Sequence, residues 1–159
     1  MLSVTNTVLD VKVKLGPFGN YGFDDDLLYT AAIEISADDV QYLKMISFIG
    51  GALYEEIQAK DKVDLEENEA YIYKAEVYAI AVSFLKDQEI LSQSAGESSA
   101  SSEKLTIEGY TYEVANSTGT VSSNSLATQV RLLNPKYVMY MMQAGYNVHQ
   151  LVRGGSVFG

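Results

Sequence analysis

The chain of 159 residues contains no cysteine, which excludes a disulfide scaffold, a thiolate zinc site, an iron–sulfur cluster and a cysteine nucleophile. Nothing in it requires an oxidising compartment. Its one histidine, His149, has no Ser, Asp or Glu beside it, so a histidine-based triad has no local partners to draw on. Bases are scarce: 11 Lys and Arg stand against 21 Asp and Glu, and nowhere do they cluster into the stripe that grips nucleic-acid phosphates. The strings GxGxxG, GxxxxGKS, GxSxG and HExxH are all missing. The longest nearly apolar run, Val77 to Leu85, is too short to cross a bilayer, and the segment MLSVTNTVLDVKVKLG lacks the basic-then-apolar order of a secretory leader. The expectation is a protein with no membrane attachment, produced and assembled in the cytoplasm.

What is present is a 47% hydrophobic chain of the right length for one domain with a sizeable core. Charge is distributed unevenly: residues 1–91 hold 17 acids and 7 bases, whereas residues 92–159 hold four of each. The acidic part carries helical periodicity. Phe23-Asp24-Asp25-Asp26-Leu27-Leu28 reads as a capped start, with Phe23 stapling onto Leu27 or Leu28, and Leu27, Leu28, Ala31, Ala32 and Ile35 mark the predicted inner face. Ser36 or Asp38 restarts the pattern as a longer helix along Val40, Leu43, Ile46, Gly50, Leu53 and Ile57. Gly50-Gly51 in its middle implies either a kink or a close backbone approach.

Asp64-Leu65-Glu66-Glu67 has the form of a capping box and opens the strongest helix, expected over 65–91. Two adjoining apolar stripes, with Ile72, Ala75, Ala79 and Val82 in one and Tyr73, Val77, Ile80 and Phe84 in the other, predict a central core helix packed by 24–35 and 40–58. Residues 92–125 then hold ten Ser and three Gly. Leu105 to Val114 alternates around Gly109 as a short β-hairpin or a single bent strand. Ser122 to Ser125 caps a last helix carrying Leu126, Val130, Leu133, Val138 and Met141, which Pro135 ends or kinks. The segment Val8 to Leu15 fits a strand by alternation and a helix by Val4, Val8, Val11 and Leu15. The expected fold is thus mainly α: a small helical bundle with a Ser-rich loop/β-hairpin insertion and an extended C-terminal tail. Residues 1–145 form a single helical domain, 93–116 its projecting arm and 146–159 the tail.

Carboxylates are the only abundant reactive groups, and Glu55, Glu56, Asp61, Asp64, Glu66, Glu67, Glu69 and Glu76 gather around one helix connection. Paired ExxE and ExxD arrangements on adjacent turns would suit magnesium, and Glu66-x-x-Glu69 supplies one pair. The second pair fails at Glu76-x-x-Ala79, leaving a solvated loop and capped helix start as the reading. No catalytic residue, metal or cofactor is expected. Candidate function lies instead in an interface: Tyr137, Tyr140, Met141, Met142 and Tyr146 surround the last helix, and Leu151, Val152, Arg153, Val157 and Phe158 punctuate the tail as anchors.

This order of segments resembles the head–tail connector (adaptor or neck) proteins of tailed bacteriophages. The resemblance rests on Asp10-Val11-Lys12-Val13-Lys14-Leu15-Gly16, on Asp24-Asp25-Asp26-Leu27-Leu28-Tyr29-Thr30-Ala31-Ala32-Ile33-Glu34, and on Gly109-Tyr110-Thr111-Tyr112 after a Ser-rich segment. It spans about residues 10–142. It implies a structural virion protein without enzymatic activity, a ring subunit, commonly in twelve copies, joining the portal protein to stopper or tail proteins. DNA would pass through such a ring without specific binding, and an acidic chain suits a channel that must not grip phosphate. The stretch from Asp39 to Lys62 is longer and more apolar than that family leads one to expect. The alternatives are a non-viral helical interaction or regulatory module and a divalent-metal nucleotide hydrolase.

Overall fold

Every regular element among the described residues, 4–100 and 123–148, is helical in the computed structural model. Five helices of more than one turn appear: α1 (Val4–Leu15), α2 (Asp26–Val40), α4 (Gly51–Gln58), α5 (Glu67–Ala100) and α6 (Ser123–Gln143), with the single turn α3 (Ser47–Ile49) before α4. The central element is α5. Ile72, Ala75, Val77, Ala79, Ile80, Ala81, Phe84 and Leu85 are all buried, so the helix is enclosed on most sides, as its double stripe predicts. α1, α2 and α6 all pack against it, and α6 makes the most extensive pairing. The two-sided burial of α5 therefore needs α6 as well as the N-terminal helices.

Aromatic side chains close the core where α2 meets α5. Tyr21 meets the Phe84 ring edge-on at 5.2 Å, Tyr29 lies 5.6 Å from it and Phe23 6.1 Å. The Tyr21 and Tyr29 hydroxyls are not left unsatisfied: they donate to the Leu15 and Gly16 carbonyls at 2.6 and 2.8 Å, finishing the C-terminal turn of α1. The segment Val8 to Leu15 is helix rather than strand, with Val8, Val11 and Leu15 inward.

Several boundaries differ from those predicted. Asp25 caps α2 by accepting from the Leu28 amide at 2.9 Å, but Phe23 turns into the core instead of stapling onto the leucines. The buried face of α2 is Tyr29, Ile33, Ser36, Ala37 and Val40, and the predicted face of Leu27, Leu28, Ala31 and Ile35 is exposed. Small buried Ser36 and Ala37 let α2 continue past the expected restart. Residues Gln41–Ile46 then form a π turn, whose wider winding replaces Leu43 by Met45 at the core, five residues after Val40. The true break is Gly50, with φ +88°, a conformation suited to glycine. Nothing lies within 4 Å of where a Cβ would stand on Gly50 or Gly51, so the pair marks a kink and not a close approach.

The side-chain cap of α5 lies two residues later than predicted. Glu69 accepts from the Glu66 amide at 3.0 Å, and the helix begins at Glu67. It also continues to Ala100, so the expectation of a loop from residue 93 is overturned for 93–100, where a polar, Ser-rich sequence does not interrupt the helical backbone. The predicted hairpin at 105–114 lies outside the described residues. α6 runs through Pro135 to Gln143 instead of ending there. It closes at Gly145, whose φ of +98° lets the Tyr146 amide donate back to the Met141 carbonyl at 2.9 Å. Val148 is buried in the same core, so the helical body extends past residue 145 into the predicted tail.

Candidate functional site

The predicted interface residues separate into distinct environments. Tyr137 and Met141 point into the core, because they occupy the α6 stripe that faces α5. Tyr140 is half-buried between Tyr71 and Tyr78, with ring centroids 6.2 and 5.8 Å away and both pairs stacked. Met142 is exposed, and with Asn134, Pro135, Val138, Met139 and Gln143 it lines an open groove of about 520 Å³. Tyr146 is half-buried after the Gly145 turn. Leu151, Val152, Arg153, Val157 and Phe158 lie outside the described residues.

A further apolar surface sits on α2 and the π turn. Leu27, Leu28, Ile35, Tyr42 and Leu43 expose between 53% and 80% of their surface. At about 100° per residue they fall within one broad sector of the helix, with Ala31 between them and Asp38 and Asp39 interspersed. Periodicity detected this face and assigned it inward. The helix in fact carries two apolar faces, and the aromatic one takes the core.

The second feature is a cavity of about 300 Å³ where α1, the Lys62–Asp64 turn, α5 and α6 meet. Tyr73, Tyr78 and Tyr140 supply ring surface, while Lys14, Lys62 and Lys74 bring ammonium groups to its rim. Lys14 Nζ lies 5.0 Å from the Tyr78 ring centre and Lys74 Nζ 5.6 Å from that of Tyr140, cation–π distances. Lys62 is engaged with Asp10 at 2.7 Å, and the Tyr73 hydroxyl donates to the same carboxylate oxygen at 2.5 Å. Burial works to raise the Asp10 carboxyl, but these two hydrogen bonds and the lysine charges outweigh it and hold the group below the usual aspartate range. Lys14 and Lys74 have no carboxylate within ion-pair distance among the described residues. Sequence reasoning passed over this cluster. Its signal was Tyr71, Lys74 and Tyr78, whose spacing of three and four sets them on one helix face.

The carboxylates around the α4–α5 connection serve different ends. Glu55, Glu56, Asp61, Asp64, Glu66 and Glu67 are exposed. Glu69 is held by both its oxygens to Lys60 Nζ at 2.8 Å, and that bond, with the Glu66 amide, lowers its pKa. Glu76, which the sequence groups with the solvated acids, is fully buried and accepts from the Tyr54 hydroxyl.

Comparison with protein-family models, curated proteins and solved structures returns no match for this chain.

Proposed function

We propose that this chain is a structural assembly subunit, the head–tail connector subunit of a phage neck, forming a ring that joins the portal to the tail around the DNA channel. The observation that carries the reading is the exposed apolar face of α2 and the π turn, Leu27, Leu28, Ile35, Tyr42 and Leu43, on a chain of net charge −10. Five large apolar side chains exposed on one helix face are a feature of interaction sites, and an isolated domain gains nothing from them. The exposed groove on α6 provides further surface on a different helix. Rings are built from heterologous contacts, which need two unlike complementary patches on each copy. The exposed acids of the α4–α5 connection suit a channel wall that lets a duplex slide. The order of segments, which resembles that of connector proteins, points the same way.

Light scattering and negative-stain electron microscopy of the protein, alone and mixed with portal particles, test this. A closed ring in either sample is the expected result. A chain that stays monomeric in both, to millimolar concentration, overturns the reading in favour of a monomeric interaction module.

A further inference from the structure

We propose that the Asp24-Asp25-Leu27-Leu28 corner of one copy seats in the Lys14–Lys74–Tyr140 cavity of the next. The inference rests on the ring-subunit reading and names the contact that closes it. The cavity gathers three of the eleven bases of a strongly acidic chain, and only Asp10 answers them at its lining. Lys14 and Lys74 rest on tyrosine rings with no carboxylate within ion-pair distance among the described residues, Lys14 acting on Asp10 only at longer range. An occupant must therefore bring negative charge. It must also bring apolar surface, because Val13, Ala70 and Val77 line the same cavity and Val13 is 76% exposed at its rim.

The start of α2 has both properties. Asp24 and Asp25 are exposed, and Leu27 and Leu28 stand beside them 80% and 53% exposed. The acids of the α4–α5 connection lack such anchors apart from Val63. The corner cannot reach the cavity of its own chain. Lys12 ties α2 to α1 through Asp26, 2.9 Å to each oxygen, and Thr30 at 2.8 Å. Lys12 lies about 160° around α1 from Asp10 and Lys14, which line the cavity. Donor corner and acceptor cavity thus flank α1 on opposite sides. That placement lets each copy give on one side and receive on the other, the condition for a head-to-tail ring.

The absence of cysteine makes the test direct, since any introduced thiol is unique. Full-length Val13→Cys and Leu28→Cys proteins, distinguished by a size tag, are mixed and treated with a short bismaleimide. The mixed product should exceed either self-linked product by on the order of tenfold. Lys14→Glu with Lys74→Glu in the Val13→Cys copy should lower the mixed product by a similar factor, and Asp24→Lys in the Leu28→Cys copy should restore it. With the lysines unaltered, raising salt from about 0.05 to 0.5 M should also lower the yield, so the result does not depend on the charge variant folding. No mixed product, or a yield indifferent to both charge and salt, overturns the pairing. Light scattering on the same mixture separates the two ideas: oligomer without the cross-link leaves the ring reading standing with another interface, whereas monomer throughout defeats both.

Discussion

The Tyr54 hydroxyl of α4 donates to the Glu76 carboxylate of α5, with both side chains buried. Burial first, and then the neighbouring Glu76 charge, push the tyrosine far above its ordinary pKa, so it stays a donor at any physiological pH. Tyr54→Phe deprives a buried carboxylate of a donor and should destabilise by about 1–3 kcal/mol in urea unfolding. The loss should shrink when Glu76 is also replaced by Gln, since the acceptor is then uncharged.

Phe84 sits among Tyr21, Phe23 and Tyr29 with 1% of its surface exposed. Phe84→Ala should cost about 3–5 kcal/mol by equilibrium denaturation, because three rings cannot all collapse into the space left.

Tyr137 presents the opposite case. Its hydroxyl is buried and has no hydrogen-bond partner among the described residues, and burial raises its pKa to about 12. Tyr137→Phe should leave stability unchanged or raise it by about 1 kcal/mol, as the desolvated group disappears while the ring remains. A loss above that size in thermal unfolding would show that the hydroxyl is held after all.

Gly50 and Gly51 should respond differently to alanine. The positive φ of Gly50, combined with an extended ψ of 150°, gives Gly50→Ala an expected cost of about 1–3 kcal/mol, whereas Gly51, the first residue of α4 with open space around it, should gain less than about 1 kcal/mol. Chemical denaturation of the two single variants distinguishes them.

Asp10 binds a proton less readily folded than unfolded. Its contribution to stability is therefore complete above about pH 5 and is lost as pH falls through the carboxylate range. Asp10→Asn should flatten the acid limb of a stability–pH curve while lowering stability at neutral pH.

The long central helix was legible in the sequence because α5 is apolar on most sides, a pattern no solvent-facing helix tolerates. The inner face of α2 was not, because Leu27, Leu28 and Ile35 are as apolar as Tyr29 and Ile33. Periodicity counts apolar positions without knowing which face meets Phe84. The π turn was equally hidden, since its wider winding leaves no compositional mark and puts Met45, two residues further on, in the place expected of Leu43. At the candidate site, Met142 emerged on the surface, while Tyr137 and Met141 were claimed by the core. The Lys14–Lys74 cavity escaped notice because its members come from elements some sixty residues apart in the chain.

The central position of α5 also governs how the molecule comes into being. Tyr29, Ile33 and Val40 find cover on a helix that begins only at Glu67, so these side chains leave the ribosome with nothing to rest on. At about 5–20 residues per second, synthesis of the 34 residues of α5 alone takes roughly two to seven seconds. Through that interval α2 carries both its apolar faces without the cover of α5, and the nascent chain is most open to self-association until α5 arrives.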